Sequence, residues 1–251
     1  MPKVFVHGNP ECDAIWGPLV AALAERGVTD TVLLSPPGFG APVPSGFDAT
    51  PGGYVAWLAG ELRAIEGPID LVGHDWGAGH VFGLAAAHPD LIRSYTVDCA
   101  GLVHPEYVWH DMAQVWQTDG AGEEAVGAIV GTPLVDRIAM FESFGAPTDM
   151  AQTMAAAADA VMGECILTLY RGAAQPYMAD LGDRVAAADP RPAHLISALG
   201  DPYVSHQQGA ETADRLGATH TLLEGKGHWW MVSEPDAPAD AMVEFWAGLD
   251  E

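Results

Sequence analysis

The sequence predicts an α/β fold with a mostly parallel, doubly wound sheet and an inserted helical lid. Short apolar runs typical of strands alternate with helical stretches in the first and last parts of the chain, and the alternation stops over residues 104–191. The length of 251 residues suffices for one large domain with such an insertion. We therefore assign residues 1–103 and 192–251 to the core and 104–191 to the lid.

The first part of the core contains short apolar or β-branched runs that end at turn-forming residues. KVFVHG ends at Gly8, and TVLLSPPGFG passes from an apolar run into a loop of proline and glycine. Helical stretches lie between these runs, and Pro89 ends the third of them. In chain order, the predicted elements are a strand in 3–8, a helix over 13–26, a strand in 31–40, a helix over 54–66, a strand in 69–74, a helix over 76–89 and a strand in 94–99.

The lid and the last part of the core have different patterns. Residues 104–191 are rich in Ala, Met and Trp at helical spacing and contain no convincing strand. In a doubly wound sheet, such an insertion is expected at the carboxyl ends of the strands, where these sheets bind ligands. The alternation then resumes with a strand in 193–200, a helix over 206–217, a strand in 219–225 and a helix over 235–249.

The composition limits the partners that we expect. The formal net charge of −24 would repel nucleic acids and anionic membrane surfaces. No apolar run approaches the roughly 20 residues that span a bilayer, and no signal peptide precedes MPKVFVHG. Three widely spaced cysteines fit free thiols in a reducing compartment. We therefore expect a cytoplasmic protein that binds neither nucleic acid nor membranes.

The segment GHDWG, residues 73–77, follows a predicted strand and precedes a helix rich in small residues. Its pattern, G-x-D-x-G, is that of a sharp turn whose central side chain is exposed for nucleophilic attack. Two further motifs give this pattern its context, because HG closes the first strand and GHW follows the last one. The chain order of nucleophile, acid and histidine is the order found in one class of hydrolases. Asp75 at the centre of the turn could also be a helix N-cap.

At HGNPE, PGFG, GHDWG, LYRGA and GHWWMVSEP the chain resembles α/β-hydrolases of the epoxide hydrolase and haloalkane dehalogenase group. The similarity covers nearly the whole chain, although the hairpin strands that usually precede the first motif are missing. The resemblance implies the α/β-hydrolase fold and a hydrolase that needs no cofactor. No spacing of His, Cys, Asp or Glu completes a metal-ligand set, so we expect no metal.

An aspartate in place of the usual serine implies a particular chemistry. The carboxylate of Asp75 is ionised at neutral pH and can displace a leaving group from a saturated carbon, which gives an alkyl ester of the enzyme. Water activated by His228 would then attack the carboxyl carbon of this ester. The backbone N–H groups of Asn9 and Trp76 are the expected oxyanion hole.

Two carboxylates could orient His228 in this scheme. Asp201 follows the seventh strand of the family's fold, which is the commonest position for the acid, and Asp98 ends the preceding strand. Either could reach the imidazole and stabilise its charged form. We favour Asp201 and keep Asp98 as the alternative.

The leaving group decides the substrate class, and the resemblance supplies donors for both possibilities. Asn9 and Trp76 correspond to the amide and indole that hold a halide, and Trp109 in the lid could donate to one. Tyr170 corresponds to a lid tyrosine that binds an epoxide oxygen, and Tyr107 could supply a second phenol. A halide needs no proton, whereas an opening epoxide does.

We favour a dehalogenase-like enzyme acting on a neutral, fairly apolar substrate. Epoxide hydrolysis is the alternative, and a ligand-binding homologue without catalysis is a more remote one. The oligomeric state stays open.

Overall fold

One six-stranded sheet forms the centre of the fold in the computed structural model, which describes residues 1–143 and 145–249. The strand order is β2-β1-β3-β4-β5-β6, and each neighbouring pair is parallel. The prediction of an α/β fold with a mostly parallel sheet is confirmed. The strands are β1 (Lys3–Val6), β2 (Thr31–Leu34), β3 (Asp70–Gly73), β4 (Ser94–Val97), β5 (Ala193–Ala198) and β6 (Thr219–Leu223).

Helices connect the strands, and those between β4 and β5 form the longest helical segment of the described residues. The core helices are α1 (Gly17–Glu25), α2 (Pro51–Arg63) and α3 (Trp76–Ala87). The segment between β4 and β5 contains α4 (Asp111–Gln117), α5 (Ala121–Gly131), α6 (Leu134–Ser143), α7 (Thr148–Ala157), α8 (Ala160–Gly172) and α9 (Tyr177–Ala187). The chain then forms α10 (His206–Leu216), α11 (Trp230–Ser233) and α12 (Asp236–Gly248).

Three helical segments differ from the sequence predictions by more than a residue or two at their ends. The helix predicted over 54–66 begins at Pro51, because the Thr50 side chain accepts a hydrogen bond from the N–H of Gly53 and proline suits the first helical turn. The stretch 13–26 is divided into a 3-10 turn over Asp13–Trp16 and α1. The short helix α11 was not predicted, because four residues are too few to show a helical period.

The strands bury both faces against separate layers of helices. In β1, Val4 and Val6 pack with α2 and α3, while Phe5 packs on the opposite face with α1 and α12. This division follows from the two-residue period of a strand. The sheet is therefore covered on both sides, as a doubly wound fold requires.

Parallel register brings the motif loops to one edge of the sheet. Val6 pairs with Gly73, and Gly73 pairs with Val97. The residues that follow these strands, namely HGN, HDW and Asp98, consequently lie side by side. Among the described residues, no helix is both long and apolar enough to cross a membrane.

Candidate active site

Asp75 occupies a strained turn between β3 and α3. Its backbone angles are φ 53° and ψ −121°, a conformation that residues other than glycine rarely adopt. Three glycines make room for this turn. A Cβ on Gly77 would collide with the carbonyl oxygen of Val6, one on Gly73 would contact the backbone of Gly77, and one on Gly8 would collide with the Asp75 carboxylate. The glycines of HG and GHDWG are thus explained by close backbone contacts around one carboxylate.

We expect Gly77→Ala to destabilise the fold by about 3 kcal/mol or more, because the added methyl group meets backbone rather than a movable side chain. Gly60→Ala is the matched control, since Gly60 is exposed in α2 with nothing within 4 Å of its added Cβ. The control should be slightly stabilised, by about 0.5–1 kcal/mol. Urea unfolding of both variants measures the difference, and an unchanged midpoint for Gly77→Ala would contradict the collision.

The Asp75 carboxylate is held between the HGN loop and a histidine. The N–H of Asn9 donates to Asp75 Oδ1 at 2.9 Å. His228 Nε2 lies 3.9 Å from the other oxygen, Oδ2. Burial raises the pKa of Asp75 to about 6, although the nearby His228 opposes this rise. The carboxylate is therefore poorly solvated and still largely ionised at neutral pH, which favours nucleophilic reactivity.

His228 is oriented by Asp201 and not by Asp98. The ring nitrogen Nδ1 of His228 lies 2.8 Å from Asp201 Oδ2, and the N–H of Tyr203 donates to Asp201 Oδ1 at 2.8 Å. Burial lowers the pKa of His228, but the Asp201 carboxylate outweighs this effect and the net shift is upward. Asp98, the alternative acid in the sequence analysis, instead contacts His74 and the backbone of Asp75. The loop after β5 and the GHW loop thus bring Asp201 and His228 together.

A second group of charged side chains lies beneath Asp75 and was missed by the sequence analysis. His74 is enclosed by Glu11 and Asp98, with Nε2 3.1 Å from Glu11 Oε1 and Nδ1 2.5 Å from Asp98 Oδ2. All three residues are buried. The signal in the sequence was the glutamate of HGNPE beside the histidine of GHDWG: Glu11 directly follows a motif that should be buried, and a buried glutamate needs a partner such as His74.

These residues are better described as an ion-pair cluster than as a metal site. Two of them could contribute to a metal site together with His228, because potential ligand atoms of Glu11, His74 and His228 lie within 4.8 Å of one another. Both ring nitrogens of His74 are already paired with carboxylates, and its pKa is raised well above its usual value because the charges of Asp98 and Glu11 outweigh burial. A protonated imidazole cannot ligate a metal ion.

Tyr170 of α8 extends its hydroxyl into the site next to Asn9. The side-chain amide of Asn9 donates to the Tyr170 oxygen at 3.2 Å. The indole N–H of Trp76 is buried and has no hydrogen-bond partner within the described residues. Burial and the nearby Asp75 carboxylate raise the pKa of Tyr170 well above its usual value, while the hydrogen bond from the Asn9 amide opposes this rise. The phenol therefore stays protonated and its O–H is available as a donor.

Trp109 does not present its donor to the site, contrary to the sequence prediction. Its indole N–H donates to the carbonyl oxygen of Ala173 at 3.1 Å, and its ring stacks on Trp76 at a centroid distance of 5.6 Å. Tyr107 packs against Trp109, and its hydroxyl is buried without a partner among the described residues. His110, the residue that follows Trp109, faces the site instead and lines the cavity described next.

A cavity of about 220 Å³ opens above Asp75 and His228. None of its described lining residues is Lys or Arg, and most of them are apolar side chains of the segment between β4 and β5. The polar lining includes His110 and Tyr203, neither of which the sequence analysis assigned to a site. His110 caps α4 by accepting the N–H of Ala113 on Nδ1, and burial lowers its pKa, so the neutral ring carries its hydrogen on Nε2.

The sequence model of the alpha/beta hydrolase family matches residues 4–241. The chain belongs to this family. It is therefore a hydrolase-type enzyme, and the prediction of the α/β-hydrolase fold is confirmed.

Individual relatives are more distant. A stretch of 92 residues is 34% identical to 2-(acetamidomethylene)succinate hydrolase of Mesorhizobium japonicum, which covers 36% of this chain and 32% of that protein. The haloalkane dehalogenase DbeA from Bradyrhizobium elkani superposes with a TM-score of 0.74 at 21% identity, over 99% of this chain and 90% of that one. A structure of E-2-(acetamidomethylene)succinate hydrolase gives 0.72 at 20% identity, over 98% and 92%. At these identities the superpositions establish the fold alone.

Proposed function

We propose that the protein hydrolyses a small neutral compound at a saturated carbon through an ester of Asp75. The observation that carries this proposal is the placement of Asp75 at a strained turn, with one oxygen on the Asn9 N–H and the other facing His228 Nε2. Asp201 orients His228 and stabilises its charged form. A serine hydrolase has a hydroxyl at this turn, which attacks a carbonyl carbon. The carboxylate of an aspartate can instead attack a saturated carbon and accept its alkyl group as an ester.

The reaction has two half-reactions in this proposal. Asp75 Oδ2 attacks the substrate carbon, a C–O ester bond forms, and the bond to the leaving group breaks with its electron pair. Water then loses a proton to His228 Nε2 and attacks Cγ of the ester. The oxyanion develops on Oδ1, to which the N–H of Asn9 donates, and the N–H of Trp76 is proposed as the second donor. The intermediate collapses to an alcohol, which takes its proton from His228, and to protonated Asp75. Asp75 then loses this proton, to solvent after halide release or back to the Tyr170 phenolate after epoxide opening, and the starting state is restored.

The donors around Asp75 favour an epoxide oxygen as the leaving group. Asn9 donates one of its two amide hydrogens to the oxygen of Tyr170, so the phenol O–H is left to protonate an alkoxide. Trp109, which the sequence analysis offered as a further halide donor, donates to the carbonyl oxygen of Ala173 instead. On this basis we propose epoxide hydrolysis to a vicinal diol as the first candidate, ahead of the dehalogenation that the sequence analysis favoured.

Haloalkane dehalogenation is the second candidate. The unpartnered indole N–H of Trp76 and the nearby amide of Asn9 would hold a halide if Tyr170 turned aside. Diol formation from styrene oxide, measured beside bromide release from n-butyl bromide, distinguishes the two. Halide release without diol formation would reverse our order.

The residues that line the cavity indicate the charge and polarity of the substrate. Because Lys and Arg are missing from its described lining, we propose a neutral and largely apolar substrate and not a carboxylate. Residues 104–191 supply most of this lining and are proposed to act as the lid.

The three cysteines are free thiols, which supports a cytoplasmic setting.

We expect Tyr170→Phe to lower the rate of epoxide opening by about 10²–10⁴-fold, because the alkoxide loses its proton donor. Turnover of an alkyl bromide, which needs no proton, should change only a few fold. Tyr177→Phe is the control, since Tyr177 contacts Arg184 and does not line the cavity. Single-turnover diol formation measures the effect, and an unchanged rate with styrene oxide would remove Tyr170 from the mechanism.

A further inference from the structure

We propose that the buried cluster of Glu11, His74 and Asp98 is a positioning device that holds the HGN loop and the backbone of Asp75 in place and balances the charge around the Asp75 carboxylate. The proposal rests on the proposed function only in taking Asp75 as the reacting group. None of the three residues faces the cavity, so we regard them as positioning residues and not as catalytic residues.

His74 is a cation in this cluster because of its partners. Its two ring nitrogens lie 3.1 Å from Glu11 Oε1 and 2.5 Å from Asp98 Oδ2. Ionised carboxylates only accept hydrogen bonds, so both nitrogens must carry hydrogen. His74 and Glu11 are fully buried at 0% exposure and Asp98 is 3% exposed, so water cannot replace these bonds. Removing the cation would leave two buried anions unpaired.

Each carboxylate of the cluster uses its second oxygen to fix a different part of the Asp75 turn. Glu11 Oε2 accepts the N–H of Gly8 at 3.1 Å, which fixes the loop whose next N–H, that of Asn9, donates to Asp75 Oδ1. Asp98 Oδ1 accepts the N–H of Asp75 itself at 3.1 Å. His74 thus joins the proposed oxyanion loop to the backbone of the proposed nucleophile.

The loop that carries His228 is tied to the same cluster. The indole N–H of Trp229 donates to Glu11 Oε1 at 2.5 Å, and that of Trp230 donates to Asp98 Oδ2 at 2.7 Å. The rings of His74 and His228 are 4.5 Å apart between centroids. Three loops that are remote in sequence therefore meet on one buried cation, and this explains why WW follows GH in GHWW.

The cluster also acts on the charge of Asp75. Glu11 raises the pKa of Asp75, whereas His74 lowers it. Neutralising these two residues one at a time must therefore move the Asp75 pKa in opposite directions. A purely structural role has no such sign dependence, because loosening the turn acts alike in both variants. The two variants keep the other titratable residues around Asp75, namely His228, Asp98, Cys99, Tyr107, Tyr170, Asp201 and Tyr203.

The test is a carbon-13 NMR titration of the Asp75 carboxyl in the free protein, with the signal identified by its loss in Asp75→Asn. We expect His74→Gln to raise the Asp75 pKa by about one unit or more and Glu11→Gln to lower it by a similar amount. Glu66→Gln and His206→Gln are the controls, because both residues are exposed, and they should leave the pKa unchanged.

Unchanged values in both folded variants, or shifts of the same sign, would overturn the proposal. If His74→Gln does not fold, Glu11→Gln alone decides: a fall in the Asp75 pKa supports the cluster, and a rise or no change refutes it. No substrate is used in the titration. Failure of the cluster is thus distinguishable from failure of the proposed hydrolysis.

Discussion

Asp75→Asn is expected to lower turnover by at least about 10⁴-fold, because the amide cannot form the alkyl ester. The substitution keeps the shape of the side chain, and asparagine tolerates a positive φ such as the 53° of this turn. Loss of activity should therefore occur in a folded protein. Asp90→Asn, at an exposed position, is the matched control and should keep full activity.

Two measurements on the parent protein test the same step directly. In heavy-oxygen water over many turnovers, label should enter the Asp75 carboxylate, because water attacks the ester carbon and not the substrate. Digestion and mass spectrometry locate the label in the peptide. Label found only in the product, or full activity of Asp75→Asn, would exclude the ester. Ligand binding without turnover in any form of the protein would instead favour a binding role.

The Asp75→Asn variant should also differ in its dependence of stability on pH. Burial raises the folded-state pKa of Asp75 to about 6, above its usual value. A carboxyl of this kind contributes stability below its unfolded pKa, and the contribution is lost as pH rises through the folded pKa. The parent should therefore lose this contribution between about pH 4 and 6, and the variant should not. Urea unfolding at several pH values compares the two.

His228→Gln is the second large effect that we expect. Ester formation needs no base, so the variant should consume one equivalent of substrate and then stop. Steady-state turnover should fall by about 10²–10⁴-fold. The alkyl group should remain on the Asp75 peptide, where its mass distinguishes an epoxide adduct from a haloalkane adduct.

The control for this variant is His206→Gln, which changes an exposed histidine of α10. It should turn over substrate like the parent and accumulate no adduct. Continued multiple turnover by His228→Gln would assign the base elsewhere. Complete loss of the first equivalent in a folded protein would mean that His228 also acts before the ester forms.

The residues around Asp75 could be identified from the sequence because their constraint is local. Gly73 and Gly77 must lack a Cβ where α3 passes close to β1, and this requirement leaves a readable pattern of five residues. His228 was identifiable for a related reason, since GHW directly follows the last strand of a readily predicted sheet.

The segment between β4 and β5 was less predictable in detail. Trp109 and His110 are adjacent, and the sequence does not say which of the two points into the cavity. The choice is made by Ala173, which lies 64 positions from Trp109 and accepts its indole N–H. Once Trp109 is turned towards α8, His110 is left to cap α4 and to line the cavity.

By itself the sequence determined the α/β fold, the turn at Asp75 and the histidine after β6, because strand periodicity and steric limits act on neighbouring residues. Only the tertiary structure decided that Asp201 rather than Asp98 contacts His228, and that Asp98 belongs with Glu11 and His74. Both aspartates follow strands that end at the same edge of the sheet. Their partners come from loops 24 to 27 positions away, so only the folded path of those loops selects between them.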